Sequence, residues 1–159
     1  MSPNCEYGRR GLKPEAIVVH VSEGSFDGSY SWLVDPKSQV SYHFLFDTTG
    51  IGVMLVDPIN TAWHAGAIKN SQWSLLKPDT NPNLYTIGIA FAGYAGTGPS
   101  RSQIVGMAKK ISELAKIYNI PLDNSHIIPH NIIRSDKTCP GNLCDLNALI
   151  YLAGLPELE

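Results

Sequence analysis

The chain has 159 residues, 43% of them hydrophobic and 16% charged, with a formal net charge of −2. That fits one domain with a single substantial core. It gives no electrostatic reason to expect nucleic acid or an anionic membrane surface as a partner. No apolar run is long enough to span a bilayer. The first fifteen residues, MSPNCEYGRRGLKPE, lack the apolar core of a secretory signal, so the expectation is synthesis in the cytoplasm without one. Cys5, Cys139 and Cys144 are an odd set, which argues against a disulfide framework and for a thiol with another task.

The first fourteen residues are polar and read as an irregular lead-in. Ala16 to Val21, AIVVHV, reads as a strand buried on both faces. His20 inside it is either a core imidazole bonded to backbone or a ligand awaiting partners. A loop follows, then a short helix from Ser29 to Val34, stopped by Asp35-Pro36. Val40 to Asp47, VSYHFLFD, alternates as a strand should, with Tyr42, Phe44 and Phe46 opposite Ser41, His43 and Leu45. Asp47 to Gly50 reads as a turn into a returning strand at Ile51 to Val56.

Asn60 to Gly66, NTAWHAG, is a loop in which Trp63 and His64 either line a groove or simply pack. Lys69 to Asn83 reads as a long surface loop. Leu84 to Ala92, LYTIGIAFA, is the third apolar strand. Ser100 and Gln103 have capping-box spacing. They open a helix whose apolar face runs Ile104, Met107, Ala108, Ile111, Leu114, Ala115 and Tyr118, closed by Asn119 and Pro121. Ser125 to Pro129 is a short strand, and Asp145 caps a last helix with Leu146, Leu149, Ile150 and Ala153 inward. The order of elements predicts an α/β single domain, a mixed central sheet flanked by helices.

The stretch His130 to Gly141, HNIIRSDKTCPG, concentrates the candidate chemistry. His20, His130 and Cys139 form a possible three-ligand zinc set with a fourth position open for a water of lowered pKa. A cysteine nucleophile paired with His130 is the competing reading. Lys137 can stabilise an oxyanion, and Tyr42 can orient water or substrate. Arg134 can grip a substrate carboxylate. Cys5 and Cys144 read as structural thiols.

Taken in order, IVVHVS, SYHFLFD, NTAWHAG, TIGIAFAG, the Ser100-started helix and HNIIRSDKTCPG resemble the zinc-dependent N-acetylmuramoyl-L-alanine amidases. These share a domain with peptidoglycan recognition proteins and amidase-type phage lysozymes. The resemblance runs from about Ala16 to Leu152. It implies Zn2+ held by His20, His130 and Cys139, catalytic assistance from Tyr42 and Lys137, and substrate contacts from Trp63 and His64. It implies cleavage of the amide between N-acetylmuramic acid and L-alanine, with peptidoglycan as substrate. Another branch has a glutamate directly after IGI as general base; here that position is Ala90, which favours the Tyr42 and Lys137 version. Cys139 favours catalysis over a binding-only module, because recognition proteins without turnover typically lack that ligand. The expectation is a monomer acting on the wall after release, as an endolysin does, with residues 1–159 forming the catalytic domain.

Overall fold

The computed structural model describes residues 1–156; residues 157–159 of the expected domain lie outside the described residues. Seven strands and three α-helices follow one another: β1 (Cys5–Glu6), β2 (Ala16–Val21), α1 (Phe26–Val34), β3 (Phe44–Phe46), β4 (Gly52–Met54), β5 (Thr61–Ala62), β6 (Thr86–Phe91), α2 (Arg101–Tyr118), β7 (Ile127–Pro129) and α3 (Leu146–Ala153). The main sheet has the order β4-β3-β6-β2-β7. It is parallel except for the β3–β4 hairpin. The expected mixed α/β architecture is therefore present. Among the described residues no helix is long and apolar enough to cross a membrane.

Both faces of β2 and β6 are buried, so the near-continuous apolar runs are explained by cover on both sides. One face carries Ile17, Val19, Val21, Ile87, Ile89 and Phe91, packed under α2 and α3. The α2 start matches its sequence signature. Ser100 accepts the Gln103 amide and Gln103 reaches back to the Ser100 amide. The Gln103 side-chain amide also donates to the carbonyls of Phe46 and Ala92, tying helix to sheet.

The opposite face is divided. Ala16, Val18, Tyr85, Ile128 and Ile133 form one apolar cluster with Trp73. Leu33, Leu45, Leu55, Ala90 and Ala92 form another. Between them lies a polar seam of buried imidazoles, and this seam is where the candidate chemistry sits.

Three expectations are corrected. The helix α1 begins at Phe26, capped by Ser25, rather than at Ser29. The 40–47 segment is a strand only over Phe44–Phe46, and Leu45 is as buried as its neighbours, because apolar cover lies on both sides. The 69–83 loop is only partly at the surface. Trp73 is buried, stacks on Tyr85 and donates its indole N–H to the Ser125 carbonyl at 2.8 Å.

The lead-in is corrected as well. β1 pairs with β5, and Arg9 is only 5% exposed. Its Nε donates to the Pro58 carbonyl at 2.7 Å, and its Nη1 to the carbonyls of Asn83, Leu84 and Thr86 at 3.1 Å each. Arg9 thus joins the N-terminal segment, the turn after β4 and the entry to β6. Replacing it by methionine keeps much of the stem but leaves these carbonyls without their donor. We expect Arg9→Met to destabilise the domain by at least about 2 kcal/mol, read as a lower urea midpoint.

Candidate active site

The parallel strands deliver their side chains to one edge of the sheet. His20 is the fifth residue of β2 and pairs in register with Ala90 of β6. His130 opens the 3-10 turn directly after β7. Cys139 closes the loop that follows, and its Sγ accepts the Val21 amide at 3.3 Å. The ligand atoms of His20, His130 and Cys139 all lie within 4.8 Å of one another. The three residues chosen from sequence as a metal set are therefore brought together by the fold.

The donor set and its spacing fit zinc. His20 Nδ1 lies 3.6 Å from Cys139 Sγ. Tetrahedral coordination with Zn–N near ~2.05 Å and Zn–S near ~2.3 Å places such atoms ~3.6 Å apart. The far nitrogen of each imidazole is already engaged: His20 Nε2 lies 3.1 Å from His64 Nδ1, and His130 Nε2 lies 3.0 Å from the Ala65 carbonyl. Imidazole ligands are commonly held in this way by a partner on the other nitrogen.

The remaining predicted residues are less uniform. Tyr42 is half-buried beside the cluster, its ring 4.9 Å from that of His20. Burial, then the nearby Cys139 and Glu23, push its hydroxyl pKa up. Lys137 is exposed, and its charge acts on both His130 and Cys139. Trp63 is half-buried and walls a cleft of ≈ 450 Å³ with Ile68 and residues 79–83. Two residues stand elsewhere than expected. His64 is buried behind His20 rather than lining a groove. Arg134 is forked onto Asp136, Nε to Oδ1 at 3.2 Å and Nη2 to Oδ2 at 2.9 Å, so its guanidinium already holds a carboxylate of this chain. Cys144 is buried in the main core, and Cys5 is a partly buried free thiol.

Several residues that frame the site were not read as functional. Thr86 and Asn83 bond the His64 side chain and backbone, respectively. His43 accepts the Gly88 amide on Nδ1 at 2.9 Å. Exposed Glu23 accepts the Ala95 amide at 3.2 Å, and its charge reaches Tyr42 and Cys139. Gly88 alone carried a sequence signal, since a glycine inside a strand marks close approach by another group. A Cβ there would stand 2.5 Å from His64 Cγ.

Burial dominates the electrostatics. It pushes the Cys139 thiol up to about 12, against the opposing pull of the Val21 amide. It drives the pKa of His20 and His64 well below the ordinary range, helped by neighbouring imidazoles, and that of His43 down to about 3, helped by Arg9. A histidine that is neutral when folded takes up a proton below pH ~6.5 when unfolded. Its stabilising contribution is therefore complete above that pH and is lost as pH falls. Between pH 7 and pH 5 each such histidine costs about 2 kcal/mol. The urea midpoint of the metal-free protein should therefore drop steeply over that interval, and a flat profile would contradict buried neutral imidazoles.

The chain matches the family model described as N-acetylmuramoyl-L-alanine amidase over residues 10–142. It is 34% identical over 93 residues to N-acetylmuramoyl-L-alanine amidase A of Achromobacter lyticus, a stretch covering 58% of this chain and 45% of that relative. Among solved structures, a selenomethionine derivative of AmpD is similar with a TM-score of 0.77 at 24% identity, covering 95% of this chain and 90% of that one. An endolysin mutant from Bacillus subtilis gives 0.71 at 22%, covering 96% and 92%. AmiD from E. coli, solved with anhydro-N-acetylmuramic acid-L-Ala-D-gamma-Glu-L-Lys, gives 0.73 at 22%, covering 96% and 58%. These structures share the fold. The family match takes in β2 through β7 and all of His20, His130 and Cys139, and by it the chain belongs to the N-acetylmuramoyl-L-alanine amidase family of enzymes.

Proposed function

We propose that this chain is a zinc-dependent amidase that hydrolyses the bond between N-acetylmuramic acid and L-alanine in peptidoglycan. The observation that carries this reading is the convergence of His20, His130 and Cys139 within 4.8 Å, inside a chain of this family. The muramyl peptide bound by AmiD supports the substrate class. Zinc, when bound by these three residues, polarises a carbonyl and lowers the pKa of a water.

The chain's own groups then divide the work. Lys137, exposed beside His130 and Cys139, sets an ammonium where negative charge develops on the amide oxygen. Tyr42 stands against His20 with its hydroxyl held protonated, as a donor to substrate or water. Ala90 is buried in register with His20, so no carboxylate enters from β6. The cleft walled by Trp63 offers a surface for the muramyl peptide. We place Arg134 in positioning its own loop through Asp136 and not in binding substrate. A cysteine nucleophile is disfavoured because burial holds the Cys139 thiol far from its thiolate when no cation is present. We further propose that the protein acts as a monomer on the bacterial wall after release from the cell, in the manner of an endolysin.

The test is incubation of purified protein with peptidoglycan and assay of newly freed N-terminal alanine. Release should stop with a chelator and return with zinc. Cys139→Ala should abolish it, and Lys137→Ala should lower kcat by about 100-fold with little change in KM. Activity that survives chelation but dies on thiol alkylation would establish a cysteine hydrolase instead. A folded, zinc-loaded protein without release would mark a peptidoglycan-binding module.

A further inference from the structure

We infer that the dipeptide His64-Ala65 is the positioning element for both imidazoles of the cluster, and that it selects which nitrogen each presents. The inference rests on the zinc reading for its purpose, but the geometry stands without it.

A carbonyl oxygen only accepts. Thr86 Oγ1 lies 2.7 Å from the Pro82 carbonyl and donates to it. That hydroxyl has one hydrogen, so at its other contact, 3.2 Å from His64 Nε2, it accepts. The His64 proton is therefore on Nε2 and its Nδ1 is a bare lone pair. His20 Nε2, 3.1 Å away, must donate to it. The neutral His20 ring then has its lone pair on Nδ1, the nitrogen that faces Cys139 Sγ. One accepting carbonyl thus sets the protons on two imidazoles in turn.

The sheet is built to accommodate this chain. Thr86 and Gly88 of β6 pair with Ala16 and Val18 of β2, two and one positions down the same face from the His20–Ala90 pair. His64 lies over Gly88, reaching Thr86 with one nitrogen and His20 with the other. Any side chain at position 88 would occupy that place, as a Cβ 2.5 Å from Cγ and 2.7 Å from Nδ1 of His64 requires. The next residue serves the second imidazole. The Ala65 carbonyl accepts from His130 Nε2, which turns His130 Nδ1 toward the cluster. Both residues are pinned by one side chain: Asn83 Oδ1 accepts the amides of His64 at 3.1 Å and Ala65 at 2.7 Å. Asn83 is itself buried.

The experiment has two parts. Long-range 1H–15N correlation spectra of metal-free, 15N-labelled wild-type protein read the tautomer directly. We expect His20, His64 and His130 all to carry the proton on Nε2. Zinc affinity is then measured by competition with a chromophoric chelator. His64→Ala should weaken it by about 10–100-fold. His64→Asn, whose Oδ1 takes the place of Nδ1, should recover most of the loss, which a merely space-filling role would not produce. A proton on Nδ1 of His20 in the wild type would overturn the inference, as would a folded His64→Ala variant that binds zinc like the wild type. A wild-type protein with the expected tautomers that takes up no zinc would leave the relay standing and refute the zinc reading.

Discussion

An imidazole buried inside a sheet must have its polar atoms satisfied, and most of this structure's unusual features follow from meeting that demand several times over. His20, His43, His64 and His130 are all buried. Each unpaired polar group there would cost about 1–3 kcal/mol, so the residues around them are fixed by what they donate or accept. The second face of the sheet shows the consequence. It is divided into two apolar clusters with the imidazoles between them. Among the described residues no buried side-chain nitrogen or oxygen is left without a partner.

Partners for the imidazoles come from loops as well as from Thr86 and Gly88 of β6. His64 and Ala65 follow β5, Asn83 lies in the 3-10 turn before β6, and Arg9 precedes β2. Arg9 supports this arrangement from below, since three of the carbonyls it bonds belong to Asn83, Leu84 and Thr86. It also keeps a positive charge near His43, which disfavours a second one there. Among the described residues no carboxylate bonds His20 or His130; a neutral histidine and a backbone carbonyl take that place. Uncharged acceptors fix the ring orientation without adding negative charge beside the cluster.

The exposed rim is built differently. Lys137 and Glu23 are exposed, and Glu23 accepts the Ala95 amide. Arg134 is held by Asp136, which also takes Lys69 at 3.2 Å. The 134–138 loop is thereby tied to the 66–70 segment, and the isolated bridge between Lys69 and Arg134 adds backbone pairing at the same place. Arg134, expected to hold a substrate carboxylate, is paired here with one of the chain's own.

Residue order alone made the elements legible wherever a period or a cap was local. The apolar run at 16–21, the Ser100–Gln103 box, Asn119 at the helix end and Asp145 at the start of α3 all stand where short-range chemistry puts them. Sequence order, with the resemblance it carries, also named His20, His130 and Cys139 as one set. Tertiary structure decided what those residues touch. Nothing in the sequence around His64 distinguishes an imidazole facing a groove from one lying across Gly88, because the distinction is made by β6, more than twenty residues away. Nor does a polar N-terminal stretch announce a buried arginine, since its acceptors come from residues 58, 83, 84 and 86. Local periodicity sets which residues share a face. Only the folded chain sets which donors meet which acceptors, because a hydrogen bond requires two groups within about 3 Å that the sequence holds far apart.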